Sequence, residues 1–505
     1  MLFAVAMTFI DQTIVAIAAP SIQTHLELTR SGMQWVVNAY LLALAASFAL
    51  GGRLADVLGS RRMVIIGIIG FATSSALCGL TPTGSAAQAW IVIFRVLQGF
   101  SAAIMFPAAL AIVVAAFPVH ERGRALAVFF GVSGGLTAIG PIAGGFLTQW
   151  TWRAIFWINV PVAVIALTLT LIAELPSARR RVRVDGVGAV LIAVGMALSV
   201  LGFEQAPQWG WSSPLTWLCI IVGLAVLGVF VRFEAGTTDP LMNVRIFRDR
   251  AFVVVNLVLL FSSLSFIPVF FFASVYSQTS LGYDANHAGL FLLVFFAGFA
   301  TAAQIGGRMY DRRGARRPII IGSALGVVGY ALWASKVTDL SLGAQWPFIV
   351  MAAAGVGLLL GPASTDAVNH AIDASYGEVT GITQTVRNYG SALGIAVFST
   401  LLTTVFTNHL VTSLGSLGVP RKVATAIAHG STQHQNFLIL GKPRVADIPA
   451  KIAQDFAIGI RAVLIGMAVA LALSFIAARR YPRVVDEREA ERRVRRGLAG
   501  ERRTA

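Results

Sequence analysis

Runs of about 20 apolar residues recur along this chain, and that one pattern leaves few folds open to it. A segment of that length crosses about 30 Å of hydrocarbon as a helix, and inside a bilayer every backbone N–H and C=O has to be bonded within the protein. Fourteen such spans lie near 2–20, 34–52, 63–80, 88–117, 123–147, 153–174, 184–203, 216–232, 251–276, 287–307, 318–335, 346–365, 378–406 and 457–478. The fold class this predicts is an all-α polytopic membrane protein. Composition agrees, because only 12% of the 505 residues are charged, about half the share of a soluble domain.

The net charge of +16 raises nucleic acid as a partner, so the position of the charges decides. They fall in short loops between spans. With the C-terminus taken as cytoplasmic, 28 Lys and Arg lie on its side and 8 on the other. That bias predicts a multi-pass protein of the inner (plasma) membrane with both termini cytoplasmic and no nucleic-acid partner. The first span begins almost at Met1, with no basic region and no small-residue cleavage site of a secretory signal before a soluble domain. Cys78 and Cys219 sit inside apolar runs and read as small core residues.

Three basic residues, Arg95, Arg387 and Arg461, remain within spans, with Asp11 as the acid clearly inside one. Asp11 lies about ten residues into span 1, about 15 Å deep at 1.5 Å per residue. A carboxylate there faces an aqueous cavity, pairs with a cation or binds a proton; the alternative is a structural hydrogen bond that fixes the first helix. Arg95 keeps its proton and suits the role of an electrostatic switch for a neighbouring acid, or else that of a packed ion pair or a carbonyl cap. Arg387 has a similar choice between function and a bond to the backbone of a facing helix.

The loop after span 2, Gly51-Gly52-Arg53-Leu54-Ala55-Asp56-Val57-Leu58-Gly59-Ser60-Arg61-Arg62, shares the pattern GGRxxDxxGxRR with the loop after span 10, Gly306 to Arg317. Both copies occupy a turn on the basic side. Spans 1–6 therefore pair with spans 9–14 as two like-oriented halves, and spans 7 and 8 are an insertion, which is the layout of major facilitator transporters.

The motifs make the likeness specific, and it covers nearly the whole chain. Asp11-Gln12-Thr13-Ile14-Val15 followed by Ala19-Pro20 resembles the opening DxTIVNxALP of the 14-span drug:proton antiporters of the EmrB/QacA type, with Ala16 in place of the Asn. Arg95-Val96-Leu97-Gln98-Gly99 is similar to their span 4 motif, and Gly140-Pro141-Ile142-Ala143-Gly144-Gly145 to their GPxxGG antiporter motif. Trp152 to Pro161 resembles the WRxIFxINVP stretch that follows. Leu136 stands where the antiporter motif usually has Gly, with Gly131, Gly134 and Gly135 nearby.

The resemblance implies a major facilitator fold of two six-helix bundles plus two inserted helices. It divides the chain into an N-terminal bundle (1–175), an inserted pair with flanking loops (176–250), a C-terminal bundle (251–478) with an external loop (407–456), and a basic cytoplasmic tail (479–505). It also implies proton-coupled efflux of hydrophobic, cationic drugs or toxic compounds by a monomer using alternating access, with no cofactor beyond the proton gradient. Asp11 and Arg95 are then the coupling residues. Gly52, Asp56, Gly59, Arg61, Arg124 and Asp311 form a conformational gate, although for Arg61, Arg62, Arg316 and Arg317 simple anchoring on the inner side serves as well. Asn38, Gln98, Glu204, Phe271, Tyr276, Arg387 and Tyr389 are candidates for the substrate cavity.

Three further features read two ways. Phe266, Phe270, Phe271, Phe272, Tyr276, Phe291, Phe295, Phe296 and Phe299 either wall a cavity for a flat cation or face lipid. Glu204 is either an accessory acid near the outer mouth or a solvated loop residue, beside an interfacial Trp209-Gly210-Trp211. Asp366 is equally open. Among other functions, ATP coupling on this chain is excluded: its four lysines are Lys336, Lys422, Lys442 and Lys451, and none is followed by Ser or Thr as a phosphate-binding loop requires. Export of one endogenous metabolite, antibiotic or lipid on the same fold is the alternative to drug efflux. A channel or receptor fits the two-half repeat poorly, and an enzyme is not expected, because the seven histidines lie in loops or near span ends.

Overall fold

The computed structural model describes residues 1–117, 129, 139–173, 185–238, 240–369, 376–416 and 448–481. Those residues are helical apart from short connections. Along the N-terminal part run α1 (Leu2–His25), α2 (Arg30–Leu58), α3 (Ser60–Gly79), α4 (Ala87–Ala116), α5 (Ile139–Trp150), a single turn α6 (Ala154–Trp157) and α7 (Asn159–Ile172). After them come α8 (Gly186–Trp209), α9 (Pro214–Gly236), α10 (Arg250–Thr279), α11 (Ala285–Arg313), α12 (Arg316–Lys336), α13 (Leu342–Asn369), α14 (Tyr376–Ser416) and α15 (Ile448–Arg479).

Thirteen helices among the described residues are long and apolar enough to cross a membrane, α6 and α7 together making one of them. The expected span at 123–147 is described only from Ile139 onward, and its upstream glycines and Leu136 lie outside the described residues. Side chains such as Ile66, Ile69, Val164, Leu169, Val190, Leu218 and Leu224 point outward from these helices. Apolar surface on that scale suits a hydrocarbon solvent and not water.

Local chemistry sets the helix ends. Thr29, Asp185, Asp249 and Asp284 precede α2, α8, α10 and α11, and each accepts a hydrogen bond from a backbone N–H of the first turn. Bonds from the amide and ring of His287 hold the Asp284 carboxyl below the usual carboxylate range. The two copies of GGRxxDxxGxRR give the same turn. Gly59 has φ of 95° between α2 and α3, and Gly314 has φ of 69° between α11 and α12, a backbone conformation open to glycine at no steric cost.

The two halves repeat one packing scheme. In the first, α4 lies against α2 and α3, α5 against α1, and α7 against α3; in the second, α13 lies against α11 and α12, α14 against α10, and α15 against α12. The halves meet along α2 with α14, α5 with α11, and α1 with α10. Inserted helix α8 touches both α2 and α14, whereas its partner α9 packs mainly on α8. Arg53 near the end of α2 donates through Nε and Nη2 to the carbonyl of Pro240, tying the inserted segment to the first half.

Two differences from the sequence reading concern the ends of helices. Helix α14 runs on to Ser416 and α15 begins at Ile448, so the polar segment expected over 407–456 shrinks to at most 417–447, which lies outside the described residues. Helix α8 continues past the expected 203 to Trp209 with Pro207 inside it. Its polar last turn, Glu204 to Gln208, reads as a loop in a hydropathy window and is helical here because α2 and α14 cover one side of it.

Glycines hold α5 between the halves. A Cβ on Gly140 would sit 1.9 Å from Thr13 Oγ1, one on Gly145 2.8 Å from the Ala285 carbonyl, and one on Gly289 2.5 Å from the Pro141 carbonyl. Close backbone approach is the usual basis of helix association in lipid. Gly140→Ala is therefore expected to cost about 1–3 kcal/mol through overpacking, read as thermal unfolding in detergent. Adding Thr13→Ala removes the nearest atom and should recover most of the loss; an equal loss in both proteins would refute this packing account.

Candidate functional site

A buried polar network joins α1 and α4 at the centre of the first half. Asp11 is 0% exposed and Arg95 1%. Arg95 Nη1 donates to Asp11 Oδ2 at 2.5 Å and to Gln98 Oε1 at 2.8 Å, while Gln98 Nε2 donates to Asp11 Oδ1 at 2.9 Å. The spacing in RxxQG explains how one helix does this: residues three apart share a face, so Arg95 and Gln98 reach the same carboxylate together. Arg95 Nε also donates to the Val36 carbonyl of α2 at 2.9 Å, and its guanidinium lies 4.3 Å from the centre of the Tyr40 ring. The Tyr40 hydroxyl in turn donates to the Thr8 carbonyl of α1 at 3.3 Å.

Of the two readings open for Asp11, the described arrangement is pairing with a cation. Arg95 takes both of its structural roles, ion pair and carbonyl cap. Each oxygen of Asp11 has a donor, which is what makes a charge tolerable in a low-dielectric interior. Three helices thereby depend on one carboxylate, because its loss would free Arg95 from α1 while leaving it bound to α2.

A second polar zone lies where α2, α8 and α14 meet. Asn38 Nδ2 of α2 donates to Glu204 Oε2 of α8 at 3.1 Å. Both residues are buried, so Glu204 is not the solvated loop residue of the alternative reading. One turn earlier on α8, the Ser199 and Tyr389 hydroxyls are bonded at 2.8 Å, and Thr400 of α14 donates to the Phe203 carbonyl at 2.6 Å.

Among the described residues, Arg387 makes no bond to a facing helix backbone. Its Nη1 donates to Gln384 Oε1 on its own helix at 3.3 Å, and its Nε has no partner. The Oγ1 atoms of Thr383 and Thr385 are also buried without partners, so α14 carries an under-bonded polar stretch around Arg387.

The other candidates are spread more widely. Tyr276 is enclosed: its hydroxyl donates to the Val337 carbonyl at 2.6 Å and accepts from Gln345 Nε2 at 2.8 Å. Phe271 is buried against Phe272. The phenylalanines of α10 and α11 pack on one another instead of facing lipid, with Phe266 on Phe299 and Phe270 on Phe296 at centroid distances of 4.8 Å. Of the gate residues, Arg61 donates to the Leu171 carbonyl at 2.9 Å, Asp56 is bonded, and Asp311 is exposed. Gly52 faces Pro107 of α4; Arg124 lies outside the described residues. Asp366 is buried and accepts from the Tyr481 hydroxyl.

Sequence reasoning missed Arg30. Position 30 falls between the first two expected spans, yet its guanidinium lies 4.5 Å from the ring centre of Phe406 on α14 and 5.1 Å from that of Phe456 on α15. Its Nη1 is buried without a hydrogen-bond partner. Together with the bond from Gln278 Nε2 on α10 to the Ile17 carbonyl on α1 at 3.0 Å, and that from Gln149 on α5 to Asp284, it closes the halves at the end opposite the Gly59 and Gly314 turns. An arginine at the start of a span carries no signal in sequence that separates these roles. No group of His, Cys, Asp and Glu suited to a metal ion occurs among the described residues.

Removing Arg95 strands a buried carboxylate, so Arg95→Gln should lower stability by about 3–5 kcal/mol, and adding Asp11→Asn should restore most of it. Denaturation of the three proteins in micelles measures this; additive losses would show that the pair does not act as a unit.

Known proteins resemble the chain at both levels. Residues 1–395 match the Major Facilitator Superfamily. The tetracenomycin C resistance and export protein of Streptomyces glaucescens is 34% identical over 403 residues, covering 79% of this chain and 74% of that protein. The puromycin resistance protein pur8 of Streptomyces alboniger is 32% identical, covering 84% of each. The multidrug resistance protein Stp of Mycobacterium tuberculosis is 30% identical, covering 95% of this chain and 90% of that protein. Among solved structures, an inward-facing, unoccupied bacterial homolog of the human lysosomal transporter Spinster superposes with a TM-score of 0.62 at 16% identity, covering 95% and 96% of the two chains. A D-xylose–proton symporter does so with 0.59 at 15%, covering 86% and 95%.

Proposed function

The chain belongs to the Major Facilitator Superfamily, whose members are membrane transporters and not enzymes, and on that premise we propose that it exports hydrophobic drugs or toxic compounds in exchange for protons by alternating access. The observation that carries the reading is the Asp11–Arg95–Gln98 network. It is a titratable group at the centre of a bundle, linked through one guanidinium to two other helices.

A proton arriving at Asp11 cancels the charge that holds Arg95 to α1. Arg95 keeps its own proton, so its attraction passes to Val36 and Tyr40 on α2 and the tie between α1 and α4 weakens. Helix α1 also contacts α5 and α10, so a change in its seating reaches the second half. Contacts such as Gln278 with Ile17 and Arg30 with Phe406 join the halves at one end, and rocking has to break them. A proton moving inward supplies about 2.3 kcal/mol per 100 mV of membrane potential, enough for modest accumulation against a gradient. In this proposal the basic loops and both termini face the cytoplasm, as the positive-inside bias suggests.

The substrate charge is the finer part of the proposal. The under-bonded Arg387 fits an anion or a hydrogen-bond acceptor, and Glu204 is too enclosed to take an organic cation. The reading therefore favours hydrophobic compounds and does not restrict them to cations. A second reading is export of one antibiotic-like compound, favoured by relatives named for single compounds, tetracenomycin C and puromycin.

Everted membrane vesicles containing the chain should show proton release on adding an exported compound, and Asp11→Asn should abolish proton-driven export while membrane content stays equal. Full export by that variant would remove Asp11 from coupling. A panel of structurally unrelated compounds separates the two readings: protection against several supports multidrug efflux, and protection against one supports a dedicated exporter.

A further inference from the structure

We propose that Glu204 and Asn38 form a second proton-binding site, carried by the inserted helix α8 and separate from Asp11; it deepens the exchange reading above and rests on it only for its role in transport. Two orphaned oxygens point to it. Glu204 is 2% exposed and Asn38 0%, and after the Nδ2 to Oε2 bond, Glu204 Oε1 and Asn38 Oδ1 are both buried without a partner. The bonded pair thus carries two buried acceptors that lack a donor. One proton on Oε1 provides it: the acid O–H can donate to Oδ1 while Nδ2–H continues to donate to Oε2, the ring of a carboxylic acid paired with an amide. The step is a simple balance, in which carboxylate and H⁺ from water give a neutral acid.

The surroundings favour a proton over other cations. On α2 the charged residues, Arg30, Arg53 and Asp56, stand eight or more positions from Asn38, about 12 Å along the axis at the nearest. From α14, Thr400 bonds the Phe203 carbonyl and Tyr389 bonds Ser199, while Arg387 bonds Gln384 and His409 lies nine positions beyond Thr400. From α9, Arg232 and Glu234 lie near its far end, and on α8 itself Asp185 caps the first turn. None of these pairs with or hydrogen-bonds Glu204. A buried carboxylate without a counter-charge is expensive. Two oxygens fall short of the six or so that a metal ion takes from its ligands, and the near-zero exposure leaves no room for an organic cation.

The position suits coupling. Glu204 lies five residues before the end of α8, about 8 Å from the face opposite the basic loops. Helix α8 bonds α2 through Glu204 and α14 through Ser199 and Phe203, so it straps one half to the other. When that face opens and water reaches Glu204, the acid can ionise, and the strap to α2 loses the donor that completes it.

Infrared difference spectra of the protein in liposomes, recorded as pH is stepped, test the site. A carbonyl band of a protonated, buried carboxylic acid should appear on acidification, persist in Asp11→Asn and vanish in Glu204→Gln. Should Glu204→Gln fold poorly, Glu204→Asp keeps an acid at the position and should move the band without abolishing it. A band unchanged in both Glu204 variants overturns the proposal, and so does one removed by sodium at fixed pH. The spectrum does not depend on which substrate or ion drives export, so the site and the exchange reading fail separately. If both hold, Glu204→Gln should reduce the protons released per exported molecule.

Discussion

A charge placed in hydrocarbon has to be answered by another, and in this chain the answer of Arg95 to Asp11 organises the first half. The carboxylate is enclosed by two donors from α4, and the guanidinium spends its remaining capacity on a carbonyl of α2 and the face of Tyr40. Neither group is stable alone at that depth, so α1, α2 and α4 are held in register by a bond whose strength depends on a single proton. Apolar packing alone would not do this, because lipid tails compete equally for apolar helix faces.

What brings such groups close enough is the absence of side chains elsewhere. Gly140 and Gly144 let α5 settle against α1 beside Thr13, Ile14 and Ile17, and Gly145 and Gly289 let the same helix meet the start of α11. Helix α5 is thereby packed on the helix that carries Asp11 and on the opposite half. Backbone-to-backbone contacts of this kind are rigid in distance yet lack directional bonds, which suits surfaces that have to slide or rock while staying sealed. The directional ties, by contrast, gather at one end of the molecule, through Arg30, Gln149 and Gln278.

Much of the fold was legible because lipid imposes a strict grammar. Long apolar runs, the repeated GGRxxDxxGxRR loops and the glycines at their ninth position predicted helices and turns that the structure contains. The close pairing of Arg95 and Gln98 on one acid follows from their spacing once a partner helix is given. The partner itself was not legible, since Asp11 and Arg95 are 84 positions apart and hydropathy carries no contact information. The same limit hid Asn38 from Glu204 and Arg30 from Phe406. It also misjudged helix ends: α14 continues beyond 406 because Leu410 and Leu414 stay buried among exposed polar neighbours, and α8 beyond 203 because Glu204 and Ala206 are buried, a tertiary effect absent from any single window. The phenylalanines of α10 and α11 show the converse, for composition permits lipid contact and only packing reveals that the rings stack on each other.

The inserted pair then has a physical rationale of its own. Helix α9 packs mainly on α8 and leaves most of its surface outward. Helix α8 reaches inward, and the hydroxyl, amide and carboxyl groups it meets come from both halves. A helix that only filled a lipid-facing groove would need no such groups, and each of them carries a desolvation cost that an apolar side chain avoids. Retaining them makes sense for a helix that has to be held in one arrangement and released in another. In the proposed export cycle, the exposed flank of α9 would let the pair move as a body through lipid as the halves tilt.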